Sequence, residues 1–363
     1  MSLTIKGFLM RYTNAKEYNV AIVGATGSTG GKTIDILAER KFPVANLVPI
    51  ASNRFSGREV SFRNKLIKVA TFENVDFSDI DLAFFCAGNT VTRKYAEQVT
   101  DCGSVIIDKS SYFRLNSKVP LIIPEINAKA LKKGAPLGII STPNCIVVPL
   151  AMTLKALSEI SPIKRVVVST YQSVSGAGRR AIDELFKQAK TIIAAGSPIP
   201  EVFQKQIAYN VIPAIGDIGT LGACDEEEKI STEICKILKS DIKVAVTCVR
   251  VPTFIGHCLS LACEFAKPIT EDDAFEAFDN FEGIVTLDRR DGAGVFATPI
   301  DVQGEDGVYV SRIRRDYSVK NGLMLWVACD NLRKGAALNS VQIAEEMIAE
   351  DPNLTMFKKQ FKK

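Results

Sequence analysis

The sequence predicts a two-domain α/β protein: an N-terminal, doubly wound, Rossmann-like domain on a parallel sheet, followed by an α+β domain on a mixed or antiparallel sheet. Three observations carry this. Short β-branched runs alternate with helix-patterned segments through residues 20–143, a glycine-rich turn joins the first run to the first helix, and beyond residue 143 the runs lengthen and the alternation stops. The expected boundaries are 1–143 for the first domain and 144–335 for the second, with a closing segment, 336–363, packing back on the first.

In chain order, residues 20–23 (VAIV) read as a strand ending in GATGSTGG (24–31), and 33–40 read as an amphipathic helix. Further strands are expected at 46–51, 81–86 and 104–108, with helical spacing over 91–99. Strands alternating with helices give right-handed crossovers, which set the strand C-termini along one edge. In the second domain, strand-like runs fall at 165–171, 243–251, 258–265, 308–316 and 323–328. Helices are expected at 146–160, 180–194, 225–238 and 270–281, and 336–348 closes the chain as another.

Composition narrows the function classes. A chain of 363 residues that is 47% hydrophobic and 24% charged is globular, and its length suits about two domains. No apolar run approaches the roughly 20 residues of a membrane-spanning helix, and residues 1–18 lack the apolar core of a secretory signal. The net charge of +4 is scattered, with only 358–363 dense in one sign, which argues against a nucleic-acid surface. Nine cysteines without a Cys-x-x-Cys pair argue against a disulfide scaffold or zinc ribbon and fit a reducing cytoplasm. His257 is the only histidine, so no two-histidine metal site exists and no metal is expected.

Several segments carry chemistry. In the turn Gly24-Ala25-Thr26-Gly27-Ser28-Thr29-Gly30, small residues let backbone N–H groups approach a pyrophosphate at a helix N-terminus; a plain tight turn is the alternative. After the second strand there is no acidic residue for a ribose hydroxyl but Ser52-Asn53-Arg54, which favours a 2′-phosphate, hence NADP, unless this is an ordinary polar turn. Cys145 follows Ser141-Thr142-Pro143-Asn144 and opens a helix, where the positive end stabilises thiolate; it reads as a nucleophile or as a buried structural thiol. Asn144 beside it could orient a carbonyl or donate to an oxyanion. His257 follows a strand carrying Arg250, and Gln172 ends a strand that enters the glycine-rich turn 173–178. Arg114 and Lys229 are isolated cations able to hold phosphate or carboxylate.

Taken in order, GATGSTG (24–30), CAGNT (86–90), DKSSYFR (108–114), STPNC (141–145), STYQSVSGAGR (169–179), NVIP (210–213), VTCVRVPTFIGH (246–257), RIRRD (312–316) and DNLRKGAALN (330–339) resemble the aspartate-β-semialdehyde dehydrogenase family nearly end to end. The resemblance implies a C-terminal domain like that of glyceraldehyde-3-phosphate dehydrogenase, used for catalysis and dimerisation. It implies Cys145 as the acyl-forming nucleophile, His257 as acid/base and Gln172 as substrate-orienting, with Arg250 on the α-carboxylate. Arg114 and Lys229 would hold phosphate, and Glu226 would order Lys229 or meet the substrate amine. The cofactor, NADP(H), would lie on Gly24 and Thr26 to Gly30, with Arg54 at the 2′-phosphate, Ser175 and Gly176 near the nicotinamide and Asn331 closing over it.

The implied reaction is reductive dephosphorylation of L-4-aspartyl phosphate to L-aspartate 4-semialdehyde and phosphate through a cysteine thioester. It would serve lysine, threonine, methionine and diaminopimelate synthesis in a cytoplasmic homodimer without membrane or nucleic-acid partners. The sequence departs from the family pattern at Phe55, which separates Arg54 from Ser56, and at Lys109, which stands where the family has Asn; the acidic run 225–228 leaves the carboxylate assignment open. The alternatives are another acyl-phosphate reductase, such as the N-acetyl-γ-glutamyl-phosphate enzyme, or a Cys–His acyltransferase or hydrolase without a dinucleotide.

Overall fold

The computed structural model describes residues 16–287 and 295–360, so most of the N-terminal extension and the last three residues of the basic tail lie outside the described residues. Two compact units divide the chain: residues 1–124, 128–142 and 340–363 in unit 1, and 125–127 and 143–339 in unit 2.

Unit 1 is built from β1 (Tyr18–Val23), α1 (Ser28–Glu39), β2 (Val44–Ile50), a hairpin of β3 (Glu59–Phe62) and β4 (Lys65–Lys68), β5 (Leu82–Phe85), α2 (Asn89–Asp101), β6 (Val105–Asp108) and, past the short turn α3 (Pro124–Asn127), β7 (Ile139–Ser141). Its five-stranded sheet runs β2-β1-β5-β6-β7, with every pairing parallel. Strands β5 and β6 are buried at every position, which is why they read as unbroken apolar runs rather than alternating ones. Beneath them Phe72 stacks on Tyr95 with ring centroids 3.7 Å apart. The closing helix is held to this unit by Arg40, whose Nε and Nη2 donate to the two carboxylate oxygens of Glu345 at 2.8 and 2.7 Å.

The first helix starts at Ser28, five residues before the expected 33. Glycines lower helix propensity, so the local pattern hides the first turn; packing demands them, because a Cβ on Gly30 would lie 2.1 Å from the Gly24 carbonyl oxygen. Gly24 itself has φ +90°, a left-handed conformation that suits glycine.

Unit 2 contains α4 (Val147–Ser158), β8 (Ile163–Gln172), α5 (Arg179–Ile193), α6 (Asp225–Leu238), β9 (Lys243–Arg250), β10 (His257–Phe265), α7 (Glu271–Asp279), β11 (Ile284–Thr286), β12 (Val308–Arg315) and β13 (Gly322–Cys329). A π-turn at Arg333–Ala337 then leads into α8 (Leu338–Glu350). The six-stranded sheet has the order β11-β12-β13-β10-β8-β9 and is mixed: β8 with β9 and β11 with β12 are parallel, the rest antiparallel. Helix α4 is buried over most of its surface, as befits a helix packed between the sheet and the helices α6 and α7, with Lys155 at its exposed margin.

Candidate active site

The register of unit 2 delivers three of the candidate side chains to one sheet edge. Gln172 ends β8 directly opposite Arg250, which ends the parallel strand β9. Strand β10 runs the other way, so its first residue, His257, starts beside the end of β8, next to the Cys258–Tyr171 pair. All three are buried. The chain enters β10 through Gly256, whose φ of +94° and approach to Pro299 leave no room for a side chain. Gly176, in the turn after β8, lies over the same edge: a Cβ there would sit 3.0 Å from Arg250 Nη1 and 3.2 Å from His257 Nε2.

Cys145 is half-buried at the entry to α4, whose first helical residue is Val147, one later than the expected 146. Asn144 turns the chain toward the helix: its Oδ1 accepts from the Ile146 N–H and its carbonyl from Val147 and Val148. Its Nδ2 donates to Glu226 Oε1 at 2.9 Å and its backbone N–H to Glu233 Oε2 at 2.7 Å. The amide offered by the sequence to a reacting carbonyl is thus committed to holding the cysteine segment. The π-turn closes the other flank, where a Cβ on Gly335 would lie 3.3 Å from Cys145 Cβ. That turn is anchored by Lys334, which donates to both oxygens of buried Glu125 at 2.7 Å.

Glu226 gathers these parts. Its Oε1 accepts from Asn144 Nδ2 and from Gln172 Nε2 at 3.1 Å, while Gln172 Oε1 accepts from Thr170 at 3.1 Å. The expectation that Glu226 orders Lys229 is corrected: its carboxylate holds two amides, and the half-buried Lys229 ammonium, one turn on, has no hydrogen-bond or ion-pair partner among the described residues. Burial pushes the Arg250 pKa down, while the nearby Cys145 and Glu226 charges push it back up. The cysteine therefore shares the electrostatic field of that guanidinium, which donates from Nη1 to the Ser173 carbonyl at 2.7 Å.

Asn331 is buried inside unit 2, where its Oδ1 accepts from Ser173 Oγ (3.1 Å), Ser175 Oγ (3.1 Å) and the Gly256 N–H (2.9 Å). Sequence reasoning assigned Asn331 and Ser175 to the cofactor and passed over Ser173 and Glu233. For Glu233 a signal existed: it stands seven residues after Glu226 on the helix face that also carries Ile230, Ile234 and Ile237.

Unit 1 carries the residues expected to hold a dinucleotide. The N-terminus of α1 has no side-chain cap, and Ser28 Oγ is buried without a partner among the described residues. Together with the side-chain-free cradle of Gly24, Gly27 and Gly30, this fits a pyrophosphate. Arg54 is exposed after β2, and Phe55, the departure from the family pattern, lies under both Arg54 and Arg58, whose guanidinium carbons are 4.6 and 4.9 Å from the ring centroid. Arg114 is buried and donates from Nε to the Thr142 carbonyl (3.0 Å) and from Nη2 to the Lys109 carbonyl (2.7 Å). Lys109 donates to Thr33 Oγ1 at 2.7 Å, and burial pulls its pKa down.

A parallel-sheet unit with a glycine cradle and a mixed-sheet unit carrying cysteine, histidine and arginine around one strand edge define a semialdehyde dehydrogenase. The models of that class match accordingly, the NAD binding domain over residues 19–134 and the dimerisation domain over 154–334. The chain belongs to the aspartate-semialdehyde dehydrogenase family. It is 50% identical over 333 residues to the aspartate-semialdehyde dehydrogenase of Rickettsia conorii, covering 92% of this chain and 98% of that one. Identity to the Aquifex aeolicus enzyme is 42% over 338 residues, 92% and 98% of the two chains. The crystal structure of Vibrio cholerae aspartate semialdehyde dehydrogenase II complexed with ASA superposes with a TM-score of 0.89 at 38% identity, covering 92% of this chain and 99% of that one.

Proposed function

We propose that the protein catalyses the NADPH-dependent conversion of L-4-aspartyl phosphate to L-aspartate 4-semialdehyde and phosphate, through a thioester on Cys145. The observation that carries this reading is the convergence on Gly176 of His257 Nε2, without a partner among the described residues, and of Arg250 Nη1, whose guanidinium is in the electrostatic reach of Cys145.

In this reading the Cys145 thiolate attacks the acyl carbon and phosphate leaves with its bonding pair. The glycine turn Gly24 to Gly30 would hold a dinucleotide, which would supply hydride chemistry. Arg250 holds the substrate carboxylate, and Gln172, itself oriented by Glu226 and Thr170, fixes the amino-acid end. Arg114 and Lys229 serve the phosphate, and His257 faces the reacting oxygen. Thr26 to Gly30 hold the pyrophosphate, Arg54 and Arg58 the 2′-phosphate that selects NADP, and Ser175, Gly176 and Asn331 form the wall against the nicotinamide. The enzyme acts as a cytoplasmic homodimer through its dimerisation domain, in the branch leading to lysine, threonine, methionine and diaminopimelate. No helix among the described residues is long and apolar enough to cross a membrane.

The test is phosphate-dependent reduction of NADP by L-aspartate semialdehyde, with NAD and N-acetylglutamate semialdehyde in parallel. Rapid turnover only with the aspartyl substrate and NADP is expected. Turnover independent of phosphate, or faster with the acetylated substrate, overturns the reading.

A further inference from the structure

Among the described residues, one cluster of metal-ligating side chains lies apart from the cysteine, histidine and arginine of the candidate active site. It joins Cys224 and Glu227, at the start of α6, to Cys248 on β9, and the two Sγ atoms and the carboxylate donor all lie within 4.8 Å of one another. The expectation of no metal rested on the single histidine, and this cluster needs no imidazole.

Glu227 brings the two sulfurs together. Its Oε2 accepts the Cys224 N–H at 2.8 Å and its Oε1 the Cys248 N–H at 2.9 Å, so one carboxylate grips both cysteine backbones. A carboxylate offers about four lone-pair sites, of which these bonds use two, and a donor remains for a cation. Cys224 stands at the N-cap of α6, a position that serine, threonine, aspartate and asparagine fill better as capping residues. Its sulfur accepts the Ile215 N–H at 3.5 Å. Both cysteines are buried, and half-buried Glu227 opens the cluster to solvent.

We propose that Cys224, Cys248 and Glu227 form a binding site for a thiophilic divalent cation of the zinc class, and that its occupancy acts on Gln172. Two sulfurs and one carboxylate suit Zn2+ rather than Mg2+ or Ca2+, which take oxygen donors. In a tetrahedral site with bonds of about 2.3 Å to sulfur and about 2.0–2.2 Å to oxygen, the donors lie about 3.6–3.8 Å apart. The three groups therefore draw in by at most about 1 Å, within the reach of side-chain rotation, and water completes the fourth position. Binding expels one proton from each thiol to solvent. Two positive charges leave and two arrive, so the net charge of the buried cluster is unchanged. The link to Gln172 runs through both of its supports. Cys248 is in register with Thr170 across β8 and β9, and Thr170 Oγ1 donates to Gln172 Oε1 at 3.1 Å. Glu226, which accepts from Gln172 Nε2 at 3.1 Å, immediately precedes Glu227 on α6. A cation that draws α6 and β9 together works on both. This link rests on the reading of Gln172 as substrate-orienting, whereas the binding site does not.

Cys145→Ala removes a competing thiol, and the full-length protein carrying it is titrated with Co2+, which reports sulfur ligation by thiolate-to-metal charge-transfer absorption. One equivalent bound with that absorption, and displaced by Zn2+, is expected; binding without it overturns the site, as does no binding. In the same background Cys224→Ser removes one sulfur while keeping a preferred helix cap, and Cys248→Ala removes the other. Each should weaken Zn2+ by about tenfold or more, with Trp326 fluorescence reporting that the fold is kept. Unchanged affinity in either overturns the assignment, and if Cys248→Ala does not fold, Cys224→Ser decides. With Cys145 intact, Zn2+ should raise the KM for aspartate semialdehyde by about fivefold or more, and less in Cys224→Ser than in the wild type. Equal responses place the effect at Cys145 and overturn the link to Gln172. A wild type without phosphate-dependent turnover defeats the assigned reaction, whereas the Co2+ spectrum decides the site whatever the substrate.

Discussion

The low basicity of His257 has a consequence for folding that its solitude makes measurable. In the unfolded chain the ring titrates near its ordinary value of 6.5, whereas in the folded protein burial and Arg250 hold it at about 3. The unfolded state therefore binds a proton that the folded state refuses. The sign follows: the stabilising contribution is complete above about pH 6.5 and drains away as pH falls toward about 3. The full gap corresponds to about 5 kcal/mol, and at pH 5 about 2 kcal/mol of it has been lost. The perturbation is a shift from about pH 8 to about pH 5, compared between the wild type and His257→Gln, in which carboxylate effects are shared and cancel. Trp326, the only tryptophan, lies on β13 beside β10 and reports unfolding of the sheet that carries His257. In urea titrations followed by its fluorescence, the wild type should lose about 2 kcal/mol more than the variant. Equal losses in both would refute a neutral, buried ring.

Three other outcomes are expected. Cys145→Ala should abolish phosphate-dependent turnover while leaving NADP affinity, measured by fluorescence titration, within about twofold of wild type; residual steady-state reductase activity would contradict the covalent role. Arg250→Lys should raise the KM for aspartate semialdehyde by about tenfold to a hundredfold with little change for NADP, because an ammonium cannot reproduce the planar fork. Arg54→Ala should weaken NADP use by about tenfold, a loss of about 1.4 kcal/mol, without affecting NAD, and a double change with Arg58 should erase the remaining preference, as read from kcat/KM for the two cofactors.

The sequence was informative where its signals are local. Alternating β-branched runs and helices show the parallel sheet, because strands buried on both faces cannot hide their composition, and the Pro-Asn-Cys and Gly-His junctions mark positions at which the chain turns at a strand or helix end. The bonds of Glu226 to Asn144 and Gln172 span 82 and 54 positions, and that of Ser173 to Asn331 spans 158. Such pairings leave no periodicity to read. The same holds for the partner of His257, which is a backbone N–H and so has no residue type at all. The hairpin β3–β4 escaped because its strands are short, largely exposed and rich in charge. The start of α1 was misplaced for the opposite reason: a tertiary demand for glycine overrides local propensity.

The pairing of Arg40 with Glu345 joins positions 305 apart, and residues 340–360 complete a unit whose first strand begins at Tyr18. A ribosome releases the chain in order, so the parallel-sheet unit must wait, unfinished, while nearly all of unit 2 is made. Closing so long a loop adds only a logarithmic entropy penalty, but the delay leaves the apolar flank awaiting α8 open to chaperones or to misassociation during translation. The unit synthesised first is the one completed last.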